Sequence, residues 1–155
     1  MKKTKKIIVA MMSAMVLSTL APTVYAATPS ESVKITREYF ADGSYIETKI
    51  VESNARSTVK NASKTSTYKN ASGVSLWYAK VTANFYFDGS TSSCTSASAS
   101  AGTYVSGWKI LSKSSSRTEN TGSATVEAGI YMNGIYVDSI VETVTISCDK
   151  NGNVY

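Results

Sequence analysis

From Trp77 to Phe87 apolar and polar residues alternate. Trp77, Ala79, Val81, Ala83, Phe85 and Phe87 take the odd positions, and Tyr78, Lys80, Thr82, Asn84 and Tyr86 the even ones. A period of two marks a strand with one buried face. Six inward apolar positions in a row predict the central strand of a half-buried antiparallel sheet. The whole stretch, Val74 to Phe87, is bounded by turn signals, Asn70 to Gly73 before it and Asp88-Gly89 after it. Fully extended it would span about 46 Å at ~3.3 Å per residue, so a bend or bulge is expected where the apolar pair Leu76-Trp77 disturbs the alternation.

The same pattern recurs on both sides. Val33, Ile35, Tyr39 and Phe40 lead to Asp42-Gly43-Ser44, and Tyr45, Ile46, Thr48, Ile50 and Val51 follow. This predicts a hairpin about an Asp-Gly turn. Its flanking charges (Lys34, Arg37, Glu38, Glu47, Lys49, Glu52) assign residues 27–57 to an N-terminal extension whose hairpin sits on the outside of the sheet or projects from it, needing a surface to pack on, with Ser53 to Ser57 as a linker. Thr58 to Lys69 is a polar strand whose lack of large apolar residues suggests a sheet edge. Ser92 to Ala101 carries Cys94, Ala97, Ala99 and Ala101, a small-residue face that lets an opposing layer approach while Trp77 and Phe85 fill the space.

Further strands are expected from Trp108 toward Ser116, through Ala124, Val126, Ala128 and Ile130, and from Ile135 to Cys148, with turns at Glu119 to Gly122 and at Asn133-Gly134. In the last strand Ile140, Val144, Ile146 and Cys148 share a face that Glu142 interrupts. About eight strand candidates, and no amphipathic helix beyond the first residues, predict an all-β, antiparallel sandwich domain over residues 58–155.

The N-terminus alters the reading of charge. Four lysines within the first six residues, the apolar run Ile7 to Leu20, and small residues at Val24 and Ala26 form the three regions of a secretory signal peptide, residues 1–26, cleaved after Ala26. Its apolar run falls short of the roughly 20 residues a spanning helix needs. The chain carries a formal net charge of +5 and a pI near 9.1. Without the leader, twelve basic residues face eleven acidic ones, a net charge of +1. The excess that would suggest nucleic acid belongs to the discarded segment, and the remaining bases are scattered, so nucleic acid is not an expected partner. No lipidated cysteine follows the cleavage site, and the residues after Cys148 hold no hydrophobic tail, which implies free secretion to the extracellular space with no stable membrane anchor.

Cys94 and Cys148 are the two cysteines, and export predicts that they pair as a disulfide. The loop closed would be about 55 residues long, for which chain entropy gives about 4 kcal/mol at most. A metal or redox site lacks support, since there is no Cys-x-x-Cys pair and no histidine. Cys94, Trp108 and Cys148 in that order resemble the Cys, Trp, Cys pattern of immunoglobulin domains. The likeness is partial. Ile146 stands where the immunoglobulin tyrosine would be, several strands precede Cys94, and little chain follows Cys148. An immunoglobulin-like topology and a sandwich of different strand order both remain open.

Several motifs carry a second resemblance: Tyr39-Phe40-Ala41-Asp42-Gly43-Ser44-Tyr45, Ser63-Lys64-Thr65 before Tyr68, Leu76-Trp77, Phe85-Tyr86-Phe87-Asp88-Gly89-Ser90 with Cys94, Trp108, and Cys148 followed by Asn151-Gly152. With these the chain resembles an uncharacterised family of short secreted proteins from Gram-positive bacteria of the Firmicutes type. The resemblance implies export and a β-rich domain and assigns no catalytic residue, cofactor or ligand.

The absence of histidine removes the commonest general base and the Ser-His-Asp and Cys-His arrangements. Asp42 and Asp88 are accounted for by their turns, and the other acidic residues sit among polar neighbours. Glu142 alone interrupts an apolar face and invites inspection for a raised pKa, although a bulge turning it outward is the expected outcome. No phosphate loop or calcium-loop spacing is present, so no cofactor or metal is called for. Binding is the remaining chemistry. Tyrosines set among Ser and Thr give amphipathic contact area, and Tyr78 and Tyr86, opposite Trp77 on the long strand, are the candidate binding surface. The plainer reading is that tyrosine is a good strand former. The expected function is therefore a secreted, monomeric, non-enzymatic binding or adhesion module for an extracellular protein or glycan. The alternative is a secreted toxin or antimicrobial acting on a cell envelope, which the small net charge disfavours.

Overall fold

Alternation builds two sheets whose inner faces are apolar and whose outer faces are Ser-, Thr- and Lys-rich. The computed structural model describes residues 31–53 and 58–155. The expected leader, with its expected cleavage after Ala26, and residues 54–57 of the expected linker lie outside the described residues. The strands are β1 (Glu31–Tyr39), β2 (Tyr45–Ser53), β3 (Val59–Lys69), β4 (Ser75–Phe87), β5 (Ser92–Thr103), β6 (Trp108–Thr118), β7 (Thr121–Met132) and β8 (Ile135–Ser147). Among the described residues there is no helix. β1 to β5 form one antiparallel sheet in chain order, and β6 to β8 form a second. The two pack face to face as a sandwich.

The core lies where the long strand predicts it. Trp77, Ala79, Val81, Ala83 and Phe85 of β4 are buried against Ala124, Val126 and Ala128 of β7, Val144 and Ile146 of β8, and Cys148 just beyond it. The expected bulge falls at Leu76: Tyr68 pairs with Trp77 while Lys69 pairs with Ser75, leaving Leu76 as the extra residue. A second irregularity in β5, where Phe85 faces Cys94 and Asn84 faces Ser96, switches parity so that Cys94 and Ala97, Ala99 and Ala101 all face inward. This small-residue face admits the opposing sheet closely. A Cβ placed on Gly122 of β7 would lie 3.0 Å from the Ala83 Cβ and 3.2 Å from that of Ala97. The β7–β8 turn is set by Asn133 and Gly134, both at positive φ (50° and 81°), as a two-residue hairpin with the twist of its strands requires.

Two expectations change, and two that were open are narrowed. β3 is not an edge but the middle strand of its sheet, between β2 and β4. Its inward residues are few but buried, Ala62 and Ser66 with Tyr68 packed on the core, and the hairpin takes the edge in its place. Of the two places open to the charged β1–β2 hairpin it takes the outside of the sheet, continuing it at the edge, with Arg37 and Lys69 both paired to Glu47 and Lys60 to Glu52. Each sheet is a meander in chain order, without the long crossovers of an immunoglobulin domain, and Trp108 stacks on Trp77 (ring centroids 5.9 Å apart) rather than on the cysteines. Finally, Cys94 and Cys148 are buried free thiols and the expected disulfide is not made. Each sulfur turns toward a nearby main-chain carbonyl, Cys94 Sγ to that of Ser96 (3.3 Å) and Cys148 Sγ to that of Asp149 (3.4 Å). Burial pushes both thiol pKa values up.

Candidate functional site

At the end of the sandwich where the β1–β2 and β3–β4 turns lie, the side chains of the two sheets do not close completely. A pocket of about 200 Å³ remains, lined by Phe40, Ile46, Ser66, Tyr68, Trp77, Ile140 and Glu142. Pairing register explains this set. Ile46 faces Tyr68 across β2–β3, Tyr68 faces Trp77 across β3–β4, and Ser66 lies two residues before Tyr68 on the same face. Ile140 and Glu142 come from β8 in the opposite sheet.

The β1–β2 turn positions the outer wall. Asp42 Oδ1 accepts hydrogen bonds from the Ser44 amide (3.0 Å) and hydroxyl (2.6 Å), which hold its carboxyl below the usual range. The buried Ser44 hydroxyl lies 3.3 Å from the Tyr68 hydroxyl, so the turn is tied to the pocket wall. Phe40, from the same turn, packs on Tyr68 at 5.8 Å. Tyr68 stacks on Trp77 at 6.0 Å and an 18° interplanar angle, and Trp108 lies behind both. The Trp77 indole N–H is buried and has no hydrogen-bond partner among the described residues.

Glu142 faces inward, contrary to the outward turn expected of it. Pairing of β8 with β7 runs without interruption from Ser139 to Ser147, and the irregularity lies earlier, at Ile130/Tyr131. The parity of Ile140, Val144 and Ile146 therefore carries Glu142 onto the inner face. Burial raises its pKa; the Ser66 hydroxyl beside it partly offsets this, and repulsion from Glu38 adds to it. Among the described residues no Lys or Arg forms an ion pair with it.

Tyr78 and Tyr86 stand on the outer face of β4, where alternation places them, but the structure does not bring them together. They stand eight positions apart, about 26 Å along a strand. Tyr78 is half-buried, packed on Tyr104 at 5.8 Å and lying over Gly102, while Tyr86 is exposed. Between them runs a polar ladder in which the Asn61 amide donates to the Asn84 carbonyl oxygen and the Asn84 amide to Ser96 Oγ, each at 2.8 Å. The cysteines are elsewhere, beside the β6–β7 turn, where their amides donate to the carbonyls of Glu119 and Asn120. Among the described residues no three His, Cys, Asp or Glu side chains are grouped as metal ligands.

Phe40, Ile46, Ser66, Tyr68 and Ile140 were not singled out as site residues by the sequence. The available signal was Glu142, a carboxyl in an apolar row, and the polar Ser66 on the inward parity of β3. In comparisons with known proteins the chain matches no family model, no curated protein and no solved structure.

Proposed function

We propose that the chain is an extracellular, monomeric binding module that holds a small ligand, or one small group of an extracellular protein or glycan, in the pocket between the sheets. The observation that carries this is the convergence of three aromatic rings, Phe40, Tyr68 and Trp77, with one carboxyl group in a concave site built largely on strands. Apolar walls with a few placed polar groups are the usual anatomy of a ligand site, and strands hold such groups more firmly than loops do. The secretory leader supports the extracellular setting. The reading is of recognition rather than turnover, because the Ser66 hydroxyl has no imidazole to activate it in a chain without histidine. The separation of Tyr78 from Tyr86 favours the pocket over the outer face of β4 as the binding surface.

A screen of small ring-bearing and branched compounds, read by ligand-observed NMR and Trp fluorescence, tests the proposal. Compounds that bind should lose affinity with Tyr68→Ala and keep it with Tyr86→Ala. The opposite pattern would move the site to the outer face.

A further inference from the structure

We infer that the pocket is selective for a small organic cation, an alkylammonium or trimethylammonium group, seated among Phe40, Tyr68 and Trp77 with Glu142 as its counter-ion. The inference rests on the pocket being the binding site and names the class of ligand it takes. Aromatic rings attract cations through the negative potential over their faces, more strongly once water is excluded, and several rings around one site are the usual means of holding a quaternary ammonium.

Charge decides among ligand classes of suitable size. An anion would meet Glu142 and, at the rim, Glu38, which pairs with the pocket residue Ile46 across β1–β2. A neutral apolar group would strip water from Glu142 and return nothing, deepening a cost the fold already bears. A cation supplies the partner that the described part of the chain withholds, since Arg37 and Lys69 are committed to Glu47 and Lys60 to Glu52. Size narrows the choice further. At about 200 Å³ the pocket is smaller than the roughly 300 to 1,000 Å³ of drug-sized sites, which suits one compact headgroup rather than a chain of sugar rings.

The experiment compares choline with its carbon isostere, in which tert-butyl replaces trimethylammonium, by titration calorimetry on the secreted protein. Choline should bind at least about tenfold more tightly than the isostere. Glu142→Gln should abolish that preference, with a thermal melt showing the variant folded. Glu38→Gln, at the rim, should reduce it less. Equal affinity for the two compounds, with Glu142→Gln without effect, overturns the cation while leaving the pocket as a binding site. Failure of both compounds to bind overturns the cation, and the pocket falls with it if the wider screen also yields no ligand sensitive to Tyr68→Ala.

Discussion

A carboxyl group on the inner face of a sandwich is costly, and at Glu142 the sign of that cost can be followed with pH. Below the usual carboxylate range the folded and unfolded chains both hold the proton and the group is neutral in each. As pH rises through that range the unfolded chain releases its proton first, because burial holds the folded pKa higher. Stability therefore declines across this window and levels off above the raised pKa. Glu142→Gln removes the titration, so thermal melts at neutral pH should show the variant more stable by a few degrees, a gain that fades below about pH 4. A gain of the same size at all pH values would place its origin in packing instead. The cysteines make a second prediction at this scale. Buried, with raised pKa values, both thiols should resist alkylation in the native protein and both should react after unfolding without reductant. Absence of reactive thiol after unfolding would show that they are bonded in the purified protein.

Among the elements, β4 has its two faces most sharply divided. Trp77 is 2% exposed and Phe85 is fully buried, whereas Tyr86 is 40% exposed on the other face. Trp77→Ala and Phe85→Ala should each cost about 3 to 5 kcal/mol in denaturant unfolding, and Tyr86→Ala far less. A loss at Tyr86 equal to that at Phe85 would mean that both faces are covered. The division was legible in the sequence because alternation is local, and so were the Leu76 bulge and the turns at Gly43, Gly89 and Asn133-Gly134. The interior place of β3 was not. Its burial is conferred by neighbours on either side, and small residues such as Ala62 and Ser66 read as edge residues until the register puts Ala83 and Ala79 opposite them. The pocket was only partly visible for the same reason. Glu142 announced itself by interrupting an apolar row, but its meeting with Ser66, Tyr68 and Phe40 depends on how two sheets are superposed, which no period within one strand encodes.

At the scale of the molecule, the order of strands within each sheet follows the order of the chain, so the described chain passes from one sheet to the other once, through residues 104–107 between β5 and β6. That passage is short and anchored at both ends, with the Tyr104 amide donating to the Leu76 carbonyl and the Tyr131 amide to that of Gly107. Every strand ladder lies wholly on one side of it. A break here would sever no pairing within either sheet, and what would remain between the two pieces is the apolar contact of Val81, Ala83 and Phe85 with Gly122, Val126 and Ile146, together with a few hydrogen bonds such as that from Arg117 to the Cys94 carbonyl (3.0 Å). A piece ending at Thr103 and a piece beginning at Trp108, produced together, should therefore assemble into a soluble non-covalent heterodimer with the melting signature of the intact protein. Either piece alone, with its inner face open to water, should aggregate. Pieces that stay apart when co-expressed would show that the connector does more than join two sheets. Because the pocket takes Tyr68 and Trp77 from the first piece and Glu142 from the second, recovery on mixing of the ligand binding proposed above would report their docking directly.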